Sequence, residues 1–591
     1  MPEIVQSKGC DLAAIERCGV GGIDLDDRTG ILGLRAFTNA SGKKILALEI
    51  FTSSKGKLMK GPLLSLLLLL SLCQSMWAQG AVAPANPARE WWAHIQFLAD
   101  DKLQGRDTGS EGHRIAADYV ADNFKRGGLK PAGTNGYIQP VRFHSRRIVE
   151  DQSSLALIRN GQAEPIMLGD EATFGVRVDL APHVEAPIVF IGYGLTVPEM
   201  NYDDLAGLDL KGKVVLLLTG GPPTIPGPLL AHNQSTRWAG LKRAGVLGVI
   251  SIANPKGMDI PWDRSKLARF MPAMNLADAS LDETTGQQLA VGVNPARAEK
   301  FFIGSGHTFA EMLELANAGK QLPRFALPAS IRATAKVATA EVESQNVVGI
   351  LPGTDPNLSS EYVVVSAHLD HVGIGQPING DSIYNGAMDN ASGVATLLET
   401  VAKLHQTKKR FRRSIVFLVV TAEEKGLLGS KYYAAHPTVP AAAIAANVNI
   451  DMFLPLFPLH GLIVQGLEES NLADNLNSVG SRLGIKILSD PEPERNAFIR
   501  SDQYSFIRQG VPAISLKVGY TKGSPEQEIA KRWRTEHYHA PSDDLNQPID
   551  FQAAADFNKA YLLVVESVAN RTERPRWNSE SFFRRFARPQ P

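Results

Sequence analysis

The stretch SIVFLVVTAEEKGLLGS, residues 414–430, has seven nearly continuous apolar residues followed closely by two adjacent carboxylates, Glu423 and Glu424. A short apolar run bounded by turn residues predicts a strand buried within a sheet. The segment GLLGSKYYAAH that follows predicts a helix. In open α/β sheets, ligands bind beyond the carboxyl ends of the strands, so two acids at this point indicate a site.

The same alternation continues through residues 345–570. Apolar segments such as YVVVSAHLD, AANVNIDM and AISLKVG predict strands, and GVATLLETVAKLH predicts a helix between two of them. Near residues 90–128, apolar side chains at helical spacing predict two helices separated by GRDTGSEG. Together these elements predict an α/β fold, a three-layer α/β/α sandwich with a mixed, mostly parallel sheet.

Composition limits the function. The chain has 591 residues, which favours more than one domain. Lys plus Arg and Asp plus Glu both number 61, so the net charge gives no support for a nucleic acid or an anionic membrane as main partner. All three cysteines precede residue 80, so a metal site in the rest of the chain must use His and carboxylates.

The predicted secondary structure and the proline content differ between segments of the sequence. Residues 85–145 and 336–572 carry the α/β pattern and predict one discontinuous domain. Residues 146–335 contain short strands separated by Pro-rich pieces such as GGPPTIPGP, which predicts a β-rich inserted domain. The basic, aromatic segment 573–591 is interpreted as a C-terminal tail, packed on the surface or frayed.

Residues 59–80, MKGPLLSLLLLLSLCQSMWAQG, have the pattern of a secretory signal peptide. We therefore expect an exported protein, periplasmic or extracellular. An uncleaved anchor is the alternative, and no other stable membrane insertion is expected. Because signal peptides normally open a chain, we interpret Met59 as the initiator and 1–58 as an upstream, non-native extension; a genuine extension is the alternative.

His and acidic side chains collect where the predicted strands end and in neighbouring loops. Beyond Glu423 and Glu424, these are His368, Asp370, Asp389, Asp451, His537, His539, Asp543 and Asp544. Carboxylates packed this closely would repel one another, and a cation removes the problem. Imidazole and carboxylate donors without Cys suit catalytic zinc, and their number favours two ions sharing a carboxylate over one tetrahedral ion.

The segments AHLDHVG, GAMDNASGVA, TAEEKGLLGS, NIDM and YHAPSDD, in this order, resemble the co-catalytic dizinc aminopeptidase family, metallopeptidase family twenty-eight. FLADDKLQGRDTGSEGHRIAADYVADNF resembles the opening helices of that family. The resemblance covers about 90–140 and 340–570. Residues 146–335 resemble the protease-associated domain that many secreted members carry.

The resemblance implies roles for individual residues. It assigns two Zn²⁺ ions to five ligands, His368, Asp389, Glu424, Asp451 and His539. Asp389 would bridge the ions, with His368 and Asp451 on one and Glu424 and His539 on the other. Glu423 would be the general base, and Asp370 would orient His368 by accepting its other ring N–H. SDQYSF resembles a segment near the substrate pocket, which makes Asp502 and Tyr504 candidates for substrate positioning.

The implied function is hydrolysis of peptide substrates with release of N-terminal residues. Three alternatives stay open. A glutamate-carboxypeptidase-like exopeptidase would share every metal ligand but would need an Arg/Lys-lined pocket beyond Glu423. A glutaminyl cyclase would use a single zinc. A non-catalytic receptor-like module is the third, although no ligand or base of the pattern is replaced here.

Overall fold

The computed structural model describes residues 32–38, 44–50, 86–258 and 260–588. The chain forms two units, Met1–Pro84 and Ala85–Pro591. In the first, strands Leu32–Thr38 and Lys44–Ile50 pair antiparallel. The predicted signal peptide at 59–80 and the rest of 1–58 lie outside the described residues.

The second unit is built on a ten-stranded mixed sheet. In spatial order its strands are Ala273–Leu276, Ile138–Ile148, Val337–Leu351, Ser414–Val420, Tyr362–His368, Ile444–Asn449, Ala513–Val518, Gly461–Gln465 and Lys486–Leu488, with Lys130–Pro131 pairing beside Val337–Leu351. The four strands from Ser414–Val420 to Ala513–Val518 run parallel. Antiparallel strands flank them.

Helices cover both faces of this sheet. Alternate residues of the central strand Tyr362–His368 belong to different cores: Val363 and Val365 pack in the main cluster, and Val364 packs with Tyr433 on the opposite face. The main helices are Arg89–Leu98, Glu111–Arg126, Ser392–Thr407, Ala473–Leu483, Pro525–Glu536 and Phe551–Asn570, and Leu428–Ala435 and Gln503–Ile507 are shorter. The predicted three-layer α/β/α architecture is confirmed, because a strand buried on both faces needs a helical layer on each side.

The segment predicted as an insert forms a second, eight-stranded sheet. Its strands, in spatial order, are Gln162–Ile166, Ser154–Arg159, Phe325–Thr334, His183–Phe190, Val214–Leu218, Gly248–Ile252, Leu289–Val293 and Ala172–Phe174. The four from His183–Phe190 to Leu289–Val293 are parallel, and helix Gly227–Arg243 joins two of them. The insert therefore contains helices as well as the expected short strands.

One strand crosses the expected boundary. Ala273–Leu276 lies in the middle of 146–335, yet it pairs with Ile138–Ile148 at the edge of the ten-stranded sheet. Ile138–Ile148 also pairs along its whole length with Val337–Leu351. The paired strands Ile138–Ile148 and Val337–Leu351 therefore carry the chain into the insert and back out of it, and they connect the two sheets.

The tail beyond 573 is packed. Trp577 and Phe583 are buried, in one cluster with Tyr504 and with Ala231 of the insert. Of the two expectations for the tail, surface packing therefore holds for its described part. Among the described residues, no helix is both long and apolar enough to cross a membrane.

Candidate metal centre

Asp389 stands between two histidines. Its Oδ1 lies 3.2 Å from Nε2 of His368, and its Oδ2 lies 3.3 Å from Nε2 of His539. The carboxylate of Asp451 extends the first side, with Oδ1 3.5 Å from Nε2 of His368. The carboxylate of Glu424 extends the second, with Oε2 3.0 Å from Nε2 of His539. Two sets of possible metal ligands, one on each side, thus share the carboxylate of Asp389.

The loop that carries Asp389 is fixed from the far end of the domain. Asp543, fully buried, accepts the backbone N–H of Met388 at 2.9 Å and of Asp389 at 3.0 Å. Asn390 donates to the backbone oxygen of Ile450 at 2.9 Å, which joins this loop to the one bearing Asp451. The peptide bond between Asp389 and Asn390 is cis. The sequence contained Asp543 among the candidate acids, but nothing local indicated this role.

His371 also belongs to the site, although the sequence interpretation gave it no ligand role. Its ring is fully buried, and Nδ1 lies 2.7 Å from Oε1 of Glu424. Its ring meets that of His539 edge-on, with centroids 5.6 Å apart. The signal that could have found it is the His immediately after Asp370 in AHLDHVG. Glu424 is therefore held by an imidazole on each of its two oxygens.

Asp370 acts on the backbone rather than on a histidine ring. Its carboxylate accepts the N–H of Glu423 at 3.0 Å and of Glu424 at 3.2 Å. The Nδ1 of His368 instead contacts the main-chain oxygen of Asp370, at 3.1 Å. The sequence predicted that the carboxylate of Asp370 would accept from this ring, and the structure instead places the main-chain oxygen there, because two N–H groups at the end of the neighbouring strand compete for the carboxylate.

The residues fit a pair of divalent ions. Among the described residues, two groups bring their ligand atoms within 4.8 Å of one another: His368, Glu423 and Asp451, and His371, Asp389 and Glu424. Three buried ligand atoms at the centre, Nε2 of His368, Oδ1 of Asp451 and Oε1 of Glu424, lie 2.7–3.5 Å from other side chains of the site but make no hydrogen bond of good geometry. Orphaned buried polar atoms need an explanation, and zinc suits imidazole and carboxylate donors without thiolates.

The electrostatics separate the two adjacent glutamates. Burial raises the pKa of Glu423 well above its ordinary value, and the carboxylates of Asp451 and Asp502 add to this rise. Burial acts in the same direction on Glu424, but His539 and His371 outweigh it and hold the pKa of Glu424 well below its ordinary value. The two acids therefore have different chemistry: Glu424 stays ionised as a ligand, and Glu423 has affinity for a proton.

The two candidates for substrate positioning lie in different surroundings. Asp502 is fully buried, and neither of its carboxylate oxygens has a hydrogen-bond partner among the described residues. Burial raises the pKa of Asp502 to about 7. Tyr504 instead directs its hydroxyl to Nδ1 of His232 in the insert, at 2.8 Å. The structure thus brings Asp502 into the electrostatic environment of Glu423 but places Tyr504 against the insert.

A fully buried arginine supports the loops around the centre. Arg106 donates from Nε to the backbone oxygen of Leu369 at 2.8 Å and from Nη2 to that of Gly386 at 3.0 Å. It also donates to the backbone oxygens of Leu98 and Asn385. Leu369 follows His368, and Gly386 precedes the loop of Asp389. One guanidinium therefore fixes the spacing of two ligand-bearing segments.

The insert reaches the centre through Arg177, whose Nη2 donates to the backbone oxygen of Glu424 at 2.9 Å. The turn at Gly426 passes close to this guanidinium; a Cβ there would lie 3.0 Å from Nη1. The sequence gave no sign of this contact, because it joins segments 247 residues apart.

A cavity opens directly beside Asp451. Its volume is about 90 Å³. Apolar side chains from the loop after Asp451 form part of the wall, including Met452 and Phe457. The charged side chains that line it are Asp451, Asp490, Arg495, Arg500, Lys517 and Arg534. Cations therefore outnumber acids around the space nearest to the centre.

Residues 346–565 match a protein-family model described as Peptidase family M28. A probable leucine aminopeptidase 2 of Aspergillus oryzae is 29% identical over 259 residues, covering 41% of this chain and 48% of the relative. The probable lipoprotein aminopeptidase LpqL of Mycobacterium tuberculosis is 33% identical over 361 residues, covering 61% and 57%. The chain spans about half the length of the curated relatives it matches.

Among solved structures, an aminopeptidase from Aneurinibacillus sp. strain AM-1 aligns with 82% of this chain and 95% of its own, with a TM-score of 0.50 and 21% identity. At this identity the likeness concerns the fold, and it agrees with the layered α/β architecture described above.

Proposed function

We propose that this chain, a member of peptidase family M28 through its residues 346–565, is a zinc-dependent exopeptidase that releases N-terminal amino acids from peptides. The observation that carries the proposal is the carboxylate of Asp389, whose two oxygens face His368 and His539 from opposite sides. A carboxylate placed between two sets of ligands in this way suits a pair of neighbouring metal ions.

Each ion would have its own ligands. His368 and Asp451 would hold one zinc, Glu424 and His539 the other, and Asp389 both. When bound, the pair supplies a water of lowered pKa and polarises the substrate carbonyl. The burial of His371 against Glu424 leaves that carboxylate little freedom to turn away.

Glu423 would carry the proton. Its backbone is fixed by Asp370, so its side chain starts from a defined position beside His368 and Asp451. Its raised pKa favours uptake of a proton from water and its later return to the departing amine. Asp502, buried and unpaired nearby, would favour the protonated form of Glu423 by charge repulsion.

We further propose that residues 146–335 are a protease-associated domain that forms one wall of the cleft. The contact of Arg177 with the main chain at Glu424 supports this role. We also propose export, on the pattern of 59–80; mass spectrometry of the mature N-terminus tests it, and a peptide from 1–58 would contradict the assignment of Met59 as initiator.

A second candidate is an exopeptidase acting on acidic peptides at their C-terminal end. The observation that favours it is the cavity beside Asp451, with Lys517 and Arg534 among its lining residues. The two candidates share all metal ligands, so only substrates can separate them.

The test uses purified protein loaded with zinc. Zinc content is measured per chain, and cleavage is compared between aminoacyl-nitroanilides with a free amine and N-blocked dipeptides ending in Glu. Two zinc ions with cleavage of the free-amine substrates support the proposal. One zinc, or cleavage of the blocked peptides alone, contradicts it.

A further inference from the structure

The strongest unassigned feature is the lysine in the cavity beside Asp451. Lys517 lies on strand Ala513–Val518 and lines this cavity. Its Nζ donates to the backbone oxygen of Asp451 at 2.9 Å and approaches that of Met452 at 3.5 Å. Among the described residues, no carboxylate lies within ion-pair distance of this ammonium group. A largely buried cation without an acidic partner is unusual, because desolvation of the charge is normally offset by one.

The acidic groups of the cavity are engaged elsewhere and form no ion pair with Lys517. Arg534 is paired with Glu492, with Nη2 to carboxylate distances of 3.0 and 3.1 Å, and Glu492 also accepts from Tyr520. Asp490 accepts the backbone N–H of Glu492 at 2.9 Å. Asp451 belongs to the metal centre. Lys517 is therefore a cation of this cavity that forms no ion pair with a carboxylate among the described residues.

The cavity also has the right size and walls for a short side chain. A volume of about 90 Å³ is more than a single water needs. Met452, Phe457 and Ile463 supply apolar surface for a methylene stem. An occupant with a short apolar stem and a terminal carboxylate would contact the apolar walls with its stem and pair with the ammonium group through its carboxylate.

We propose that this cavity binds the acidic side chain of the residue next to the scissile bond, so that peptides beginning with Glu or Asp are preferred substrates. The inference rests on the proposed exopeptidase activity and specifies its substrate class. Lys517 is then a specificity-determining residue: its three ammonium donors reach the main chain at Asp451 on one side and the substrate carboxylate on the other.

The decisive comparison is between Glu-nitroanilide and Gln-nitroanilide, which have the same shape and differ in charge. We expect kcat/KM to be at least about tenfold higher for the Glu substrate. In Lys517→Met, which keeps the length of the stem, this ratio should fall about 10- to 100-fold, the range expected for losing a buried charged hydrogen bond. Lys517→Arg should retain part of the preference.

The control is Lys522→Met, which removes an exposed lysine outside the cavity and should leave the ratio unchanged. Equal wild-type rates on the Glu and Gln substrates, or a Lys517→Met variant that loses both equally, would overturn the inference and leave the exopeptidase proposal standing. Absence of cleavage of every free-amine substrate by the zinc-loaded protein would overturn the exopeptidase proposal and this inference with it.

A third arm tests the source of the carboxylate. If N-blocked peptides ending in Glu are cleaved, if those ending in Gln are not, and if Lys517→Met removes the difference, the cavity binds a carboxylate from the C-terminal side of the bond. That result would overturn the preference for N-terminal Glu and Asp proposed here and replace the aminopeptidase assignment with its alternative.

Discussion

Replacement of Glu423 by Gln separates metal binding from proton transfer. Gln has the same shape but cannot take a proton, and the backbone N–H of residue 423 keeps its bond to Asp370. Five other donors, His368, Asp389, Glu424, Asp451 and His539, remain for the two ions. We therefore expect full zinc content together with a large loss of turnover.

The size of the loss follows from the role. A positioned general base contributes about 10²- to 10⁴-fold to the rate. At about 1.36 kcal/mol for each tenfold step, this raises the activation free energy by about 2.7–5.4 kcal/mol. The assay measures kcat on an aminoacyl-nitroanilide with zinc content determined on the same sample. Glu424→Gln is the matched control: the same change one residue along weakens a ligand held by His371 and His539, so zinc should be lost together with activity.

A Glu423→Gln variant that holds two zinc ions and keeps more than about a tenth of the wild-type kcat would refute the base assignment. A variant that loses zinc as completely as Glu424→Gln would show that Glu423 is a ligand instead, and the distinction drawn from the opposite pKa shifts of the two acids would fail.

Three further predictions address the centre and its support. Asp389→Ala should lose both zinc ions, measured by metal analysis after dialysis, because each ion shares this carboxylate; retention of one would contradict bridging. Asp543→Ala should lower the free energy of unfolding by roughly 2–6 kcal/mol, since it leaves two buried N–H groups unpaired at about 1–3 kcal/mol each; chemical denaturation measures it, and Asp544→Ala, which changes a half-buried neighbour whose carboxylate accepts from Asn546, is the control. Burial, with a smaller effect of Arg106, lowers the pKa of His113 to about 3, so the unfolded chain binds the extra proton below about pH 6.5 and stability falls as the pH drops towards 3. His113 should therefore lower the free energy of unfolding by about 2 kcal/mol between pH 7 and 5. A His113→Gln variant whose denaturation shows the same acid sensitivity as that of the wild type would contradict this.

Local pattern was sufficient for the sheet of the C-terminal half. The apolar run before Glu423 and the run before His368 could be recognised as buried strands without tertiary information. A strand covered on both faces is apolar at nearly every position, and this continuous run is visible in the sequence. The gathering of their terminal side chains followed from parallel pairing, since parallel strands end at the same edge. The metal-ligand candidates were accessible from the sequence for this reason.

The structure of the insert was harder to predict from the sequence. Short strands were expected there, but the return of Ala273–Leu276 to the larger sheet was not, because strand pairing over more than a hundred residues has no local signal. The same holds for Tyr504, whose placement against His232 depends on how the insert packs on the domain.

The sequence by itself determined which residue types meet at the sheet edge, because strand periodicity and chain direction are local properties. Only the tertiary structure decided how each of them is used. Asp370 serves the backbone of the glutamates, Asp543 fixes the loop of Asp389 from 154 residues away, and Lys517 brings a cation to the cavity beside Asp451. Such roles depend on which donor lies nearest in space and on how much water is excluded, and both are set when distant segments pack together.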